Sequence, residues 1–124
     1  MEQSKELARQ LEARGCDAIH ISSGGLDPAQ AIPVGPGYQV PLAREVKSAT
    51  NMPVVAVGMI TQFDQAEAII ANGDADLVAL ARGILFDPRW PWHAAAHLGA
   101  RVRAPDQYLR SQPSGFRHLF DFGQ

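Results

Sequence analysis

The sequence predicts an α/β fold in which about three strand–helix units form part of a parallel sheet. Three times along the chain, a helical segment ends at a Gly or Asn turn and a short apolar strand follows. Strands that alternate with helices are typical of parallel architectures. A closed (β/α)8 barrel needs about 250 residues, and this chain has 124. We therefore expect a part of a (β/α)8 barrel, or a sheet completed by association, because three strands leave two unpaired edges.

The first unit combines a helix, a strand and a long loop. The helix is predicted at residues 4–14, ends at Gly15, and precedes a strand at residues 17–22. The loop SSGGLDPAQAIPVGPGYQVP contains too much Gly and Pro for regular structure. It is longer than most connections in compact domains, and its apolar residues can anchor it. We expect an ordered, functional loop, followed by a helix at residues 40–50.

The central stretch PVVAVGMITQFDQAEAIIANGDADLVALARGIL has the pattern of a βαβ unit. Strands are predicted at residues 54–57 and 77–81, and Gly58 breaks the first of them. Thr61 fits the N-cap of the intervening helix, which ends at an Asn-Gly pair. Two strands joined by a helix are expected to lie parallel in one sheet.

A phosphate site is predicted where these two strands end. Gly58 follows the first strand, and Ala81 and Arg82 end the second. Backbone N–H groups beside a cation bind phosphate well, Gly permits close approach, and Arg offers a bidentate fork. In barrels, the loops after the seventh and eighth strands form a recurrent phosphate site. The residues alone leave another interpretation open, in which Gly58 is a turn glycine and Arg82 a surface ion-pair partner.

Other polar residues give weaker signals. Strand alternation turns His20 away from its apolar neighbours, so it is either structural or catalytic. Ser22 and Ser23 follow that strand and either bind a ligand or cap the loop. His93 and His97 have metal-compatible spacing, but no third ligand accompanies them in the sequence, so no metal is expected.

The last part of the chain is predicted to be a helix and a tail. Asp87 and Pro88 start a helix that runs to about residue 98 and carries two tryptophans, which are expected to pack. Residues 1–100 therefore hold the strand–helix units, and residues 101–124 are expected to be an extended tail that docks through its aromatics. Arg110 in this tail is either solvated or reaches a partner's site.

Composition bounds the partners and the setting. A formal net charge of −2 gives no electrostatic case for nucleic acid. The single cysteine, Cys16, suits a reducing compartment. The charged first residues do not form a signal peptide, and no apolar run has the length of a membrane span. We expect a cytoplasmic protein without a membrane partner.

Three stretches resemble the C-terminal part of the old yellow enzyme family, the FMN-dependent ene-reductases, and especially its thermophilic-like subclass. They are SSGG…PVGPGYQVPLAREVK, PVVAVGMIT and ADLVALARGILFDPRWPWHAA. The resemblance covers nearly the whole chain and implies that the three strands are the sixth, seventh and eighth of a barrel. It also implies that the backbone of Gly58, Ala81 and Arg82 holds the FMN phosphate, with the Arg82 side chain beside it.

The resemblance implies an NAD(P)H-dependent oxidoreductase that reduces activated C=C bonds of enone-type substrates. Arg110 stands where some members extend an arginine into a neighbouring subunit, although SQPSGF replaces the usual aromatic ending. The family polarises the substrate carbonyl with a His-His or His-Asn pair from earlier strands, and its Tyr proton donor also lies upstream, so we expect no catalytic residue in this chain. It is then an inactive fragment that needs the N-terminal part of the barrel or forms a homo-oligomer.

Two alternatives stay open from the sequence. One is a phosphate- or flavin-binding half-barrel module without catalysis, which would be a soluble oligomer that binds FMN. The other is a fragment of a dienoyl-CoA reductase, whose iron–sulfur cluster would lie outside this region; the GPGYQVP loop favours the simpler reductases.

Overall fold

The computed structural model describes residues 1–121, and the chain divides into two compact units, Met1–Ala81 and Arg82–Gln124. The first unit alternates helices and strands, as the sequence pattern predicts. Its elements are α1 (Glu2–Ala13), β1 (Ile19–Ile21), α2 (Val40–Lys47), β2 (Val54–Ala56), α3 (Phe63–Ala71) and β3 (Leu77–Val78).

The three strands of the first unit form one parallel sheet in the order β1-β2-β3. The register places His20 beside Val55, and Val55 beside Leu77. The predicted parallel α/β arrangement is therefore confirmed. The segment between β1 and α2 has no regular secondary structure, as its Gly and Pro content predicts.

One face of this sheet packs against the helices. Ala8 and Val46 are fully buried in that layer with Met52, and the side chains of Ile19 and Ile21 pack on them. Alternation places His20, Val55 and Leu77 on the opposite face. His20 is exposed and Leu77 is 53% exposed, so no element of the first unit covers that face.

Polar side chains fix the ends of two elements. The Glu12 carboxylate accepts hydrogen bonds from Thr50 Oγ1 (2.8 Å) and from the Asn51 N–H (3.2 Å), which ties the end of α1 to the segment before β2. These bonds lower the pKa of Glu12, that from Thr50 most, because they stabilise its ionised form. At the start of β2, Asp76 Oδ2 accepts a 2.9 Å hydrogen bond from the Val54 N–H.

Several element boundaries differ from the sequence prediction by a few residues, among them the start of α3 and the end of β3. Helix α3 has Gln62 as its N-cap residue, not Thr61. The Thr61 N–H instead donates to Gln65 Oε1 at 3.1 Å, so a side chain one turn into the helix holds the entry segment. Strand β3 ends at Val78, although the Ala79 N–H still donates to the Ala56 carbonyl at 2.8 Å.

The second unit contains more regular structure than an extended tail. It holds α4 (Arg82–Phe86), α5 (Trp90–His97), β4 (Val102–Arg103), β5 (Phe120–Asp121) and two 3-10 helices, Asp106–Ser111 and Ser114–Phe116. Strands β4 and β5 pair in parallel. The extended conformation expected for residues 101–121 is replaced by these short elements, because the chain turns back to pair with itself. Residues 122–124 lie outside the described residues.

Aromatic side chains of residues 101–121 pack on Trp92 within the second unit. The Trp92 ring on α5 makes edge contacts with Tyr108 and Phe120, with ring centroids 5.3 Å and 4.9 Å apart. The Arg89 guanidinium lies 4.7 Å from the Trp92 centroid and 4.5 Å from that of Tyr108. Within residues 1–121, no helix is long and apolar enough to cross a membrane.

Substitution of Asp76 by Asn is expected to lower the free energy of unfolding by about 1 kcal/mol at pH 7, because the Val54 N–H then bonds to a neutral acceptor. The ion pair with Lys47 adds little, since these two side chains are 40% and 29% exposed. Urea denaturation measures the difference. Glu67→Gln, which removes an exposed carboxylate on α3, is the control and should change stability much less.

The stability difference between the wild type and Asp76→Asn should depend on pH. The bonds from Lys47 and the Val54 N–H lower the pKa of Asp76 from its ordinary value of 3.8. A lowered folded-state pKa contributes stability above 3.8 and loses it as the pH falls through the lowered value. The stability gap between the wild type and Asp76→Asn should therefore narrow as the pH falls below 3.8, and a gap that stays unchanged throughout acid titration would contradict this role.

Candidate functional site

The candidate site lies at the carboxyl edge of the sheet in the first unit. Parallel strands end at the same edge, so the segments that follow β1, β2 and β3 meet there. Gly58 follows β2, and Ala81 follows β3. The sheet thus brings Gly58 and Ala81 to one edge, as the sequence predicts.

The turn after β2 has an unusual backbone. Gly58 has a φ of +117° and Met59 a φ of +49°, and Met59 is the non-glycine residue with positive φ among the described residues. Such conformations cost free energy and persist where neighbouring groups hold them. The Gly58 carbonyl accepts a 2.9 Å hydrogen bond from the Gly37 N–H, which fixes one side of the turn.

Position 58 also favours glycine because a Cβ atom there would be too close to neighbouring side chains. A Cβ at this position would lie 2.9 Å from Gln39 Nε2 and 3.0 Å from Tyr38 Cε1, both shorter than ordinary contacts. Gly58 itself is buried. The GPGYQVP segment therefore packs directly on the turn after β2. A side chain at Gly58 would clash with this segment.

Two glutamine side chains hold the turn. Gln39 is 5% exposed, and its Oε1 accepts a hydrogen bond from the Ser23 N–H in the loop after β1. Gln65 Nε2 donates to the Met59 carbonyl at 3.2 Å, while its Oε1 accepts from the Thr61 N–H. Sequence reasoning missed both glutamines, because a neutral amide carries no motif; the GPGYQVP stretch was a signal for Gln39 only.

The edge offers unused N–H donors. Among residues 1–121, the N–H groups of Gly58 and Ala81 donate to no backbone carbonyl. A close-packed glycine turn with free amides fits an anion such as a phosphate group. The side chains of Gln39, Tyr38 and Gln65, which lie against the turn, carry no charge.

The remaining predicted residues are placed as follows. Arg82 is exposed and opens the second unit, and Arg110 is exposed in the 3-10 helix Asp106–Ser111. His93 Nδ1 lies 2.6 Å from Asp87 Oδ2. Within the described residues, no group of three or more His, Cys, Asp or Glu side chains could hold a metal ion.

The parallel strand–helix sheet defines an α/β protein, a class in which ligands bind beyond the carboxyl ends of the strands. The model of the NADH:flavin oxidoreductase / NADH oxidase family matches residues 3–100. The chain belongs to this family, and the resemblance to the old yellow enzymes is confirmed.

Relatives with high identity carry one name. The chain is 47% identical over 105 residues to an NADPH dehydrogenase of Halalkalibacterium halodurans, a match covering 85% of this chain and 31% of that protein. It is 48% identical over 103 residues to an NADPH dehydrogenase of a Geobacillus strain, covering 83% of this chain and 30% of the relative. The chain therefore spans about a third of the length of the curated relatives it matches.

Substitution of Gly58 by Ala is expected to lower the free energy of unfolding by about 3 kcal/mol, because strain at positive φ adds to the clash with Gln39 and Tyr38. Gly73→Ala is the matched control. Gly73 has a φ of +73° and no atom within 4 Å of its added Cβ, so we expect a loss of only about 1 kcal/mol. Equal losses in denaturant titrations would show that the contact at Gly58 contributes nothing.

Proposed function

We propose that this chain is the FMN-phosphate-binding part of an NAD(P)H-dependent oxidoreductase that reduces activated C=C bonds of α,β-unsaturated carbonyl compounds. The Gly58 turn is the observation that carries the proposal, because it joins close packing to free N–H donors at the carboxyl edge. Membership of a flavin oxidoreductase family and relatives named NADPH dehydrogenases support FMN and NADPH as cofactors.

In this proposal each residue at the edge has a defined role. The N–H groups of Gly58, Ala81 and Arg82 donate to phosphate oxygens, and the Arg82 guanidinium compensates the phosphate charge. A free Ala81 N–H serves as well as that of a glycine. Bound FMN would supply the hydride chemistry between the nicotinamide and the alkene, and this chain would orient the cofactor by its phosphate end.

The proposal also assigns the sheet to strands six to eight of a (β/α)8 barrel. The face carrying His20, Val55 and Leu77 then turns toward the barrel interior, where strands from elsewhere would cover it. The edge strands β1 and β3 would pair with those strands or with a second copy. An exposed Leu77 is consistent with a face that is covered in the assembled protein.

Turnover is not expected from these residues alone. The groups that polarise the substrate carbonyl and donate the proton stand on earlier strands in the family that this chain resembles. Arg110 is proposed as a substrate-side residue that acts in a neighbouring subunit. Its exposed position in a 3-10 helix leaves its side chain accessible for that role.

Titration of the 15N-labelled chain with FMN tests the proposal. FMN should shift the amide signals of Gly58, Ala81 and Arg82, whereas riboflavin, which lacks the phosphate, should not. Arg82→Ala should weaken FMN binding about tenfold, because a charge-assisted interaction with the phosphate is lost. Arg117→Ala removes another exposed arginine and is the matched control.

The outcomes test the phosphate site and the expected lack of turnover separately. Phosphate-dependent shifts without NADPH oxidation fit the proposed part of a reductase. Shifts that riboflavin reproduces, or that Arg82→Ala leaves unchanged, would contradict the phosphate site. NADPH oxidation by the chain with FMN would contradict the prediction that the catalytic groups lie elsewhere.

A further inference from the structure

The glutamine that packs on the Gly58 turn has features that the phosphate site alone does not explain. Among the described residues, Gln39 is the buried side chain of polar or charged type, at 5% exposure. Burying an amide is costly unless its polar atoms find partners. Its Oε1 has such a partner in the Ser23 N–H. A buried amide such as that of Gln39 is expected to have a role in hydrogen bonding that an apolar residue of similar size could not fill.

The second polar atom of this amide faces the turn. Gln39 Nε2 would lie 2.9 Å from a Cβ at Gly58, so it stands against the Gly58 Cα. Within residues 1–121, Gln39 Nε2 donates no hydrogen bond, yet no fully buried side-chain N or O atom lacks a partner. The Nε2 atom therefore reaches the accessible surface beside the Gly58 turn.

The two contacts join segments that are distant in sequence. Ser23 belongs to the loop after β1, and Gly58 belongs to the turn after β2. The backbone next to Gln39 reinforces the link, because the Gly37 N–H donates to the Gly58 carbonyl at 2.9 Å. A displacement of the turn would move the Gln39 amide, and the Ser23 N–H would lose its acceptor.

We propose that Gln39 is a positioning residue that couples the loop after β1 to the Gly58 turn, and that its Nε2 faces the anion bound there. Its Oε1 sets the position of Ser23, its side chain supports the strained turn, and its Nε2 presents a neutral donor beside the phosphate amides. The last role rests on the proposed function; the coupling does not.

Amide hydrogen exchange of the 124-residue chain, followed by NMR, tests the coupling without any ligand. In Gln39→Leu, the Ser23 amide should exchange about five- to tenfold faster, because it loses its acceptor. Gly58→Ala should speed Ser23 exchange as well, since the added Cβ displaces the Gln39 amide. Gln39→Glu keeps an oxygen for Ser23 and should restore slow exchange.

A matched glutamine in the same loop provides the control. Gln30 Oε1 accepts the Gly25 N–H at 2.8 Å, so Gln30→Leu should speed Gly25 exchange and leave Ser23 unchanged. The Asp76 N–H, which donates to the Val54 carbonyl at 2.9 Å, reports whether the sheet stays folded. If the Asp76 amide exchanges fast in Gln39→Leu, that variant has lost its fold. Ser23 exchange in Gly58→Ala and Gln39→Glu then tests the coupling.

Two results would overturn the coupling. One is unchanged Ser23 exchange in Gln39→Leu or Gly58→Ala while Asp76 stays protected. The other is fast Ser23 exchange in Gln39→Glu, which would show that Oε1 is not the relevant acceptor.

Ligand binding then tests the donor role. Gln39→Glu places a negative charge beside the turn and should weaken FMN binding about tenfold or more although Ser23 stays protected. A merely structural glutamine would be fully rescued by Glu, so unchanged FMN affinity overturns the donor role. If the wild-type chain shows no FMN shifts, the proposed function fails, and the exchange comparison still decides whether Gln39 couples the two loops.

Discussion

Parallel pairing of β1, β2 and β3 is the constraint on which the rest of the first unit depends. Because every strand runs in the same direction, each connection must cross back along the sheet, and the helices lie on one face. The same pairing gathers the segments that follow the strands at one edge. Three separate stretches of sequence reach that edge, and they contribute Ser23, Gly58 and Ala81. Strand pairing alone places them there. The site is therefore a consequence of topology first and of local chemistry second.

The two edges of this sheet are built from different chemistry. At the edge where β2 and β3 begin, carboxylates hold the backbone: Asp76 accepts the Val54 N–H, and Glu12 accepts the Asn51 N–H. At the edge where the strands end, the turn after β2 is held by the neutral amides of Gln39 and Gln65. A carboxylate in direct contact with the Gly58 turn would repel an anion at close range. Neutral amides hold the strained backbone without that repulsion.

Sequence reasoning predicted the periodic elements and the glycine turn, because helix and strand patterns are local and a Gly after an apolar strand has a local cause. It placed Gly58 and Ala81 at the same edge of the sheet, because both follow strands that pair in parallel. It did not predict Gln39 or Gln65, since their roles follow from contacts across 16 residues, as between Ser23 and Gln39, or from displacement of Thr61 as the N-cap. Helix α4 was also missed: Arg82–Phe86 is five residues long, too short for helical periodicity to show.

The uncovered face of the sheet connects stability to function. His20, Val55 and Leu77 lie in one row across the three strands, opposite the helical layer, and the chain matches about a third of its relatives' length. Other strands that cover this row would bury the apolar side chains of Val55 and Leu77, and this burial would stabilise the sheet. In the proposed barrel, those strands would also carry the groups that act on the substrate. Covering the apolar row and completing the flavin site would then be the same event, so the sheet would reach its full stability in the assembly that is competent for catalysis.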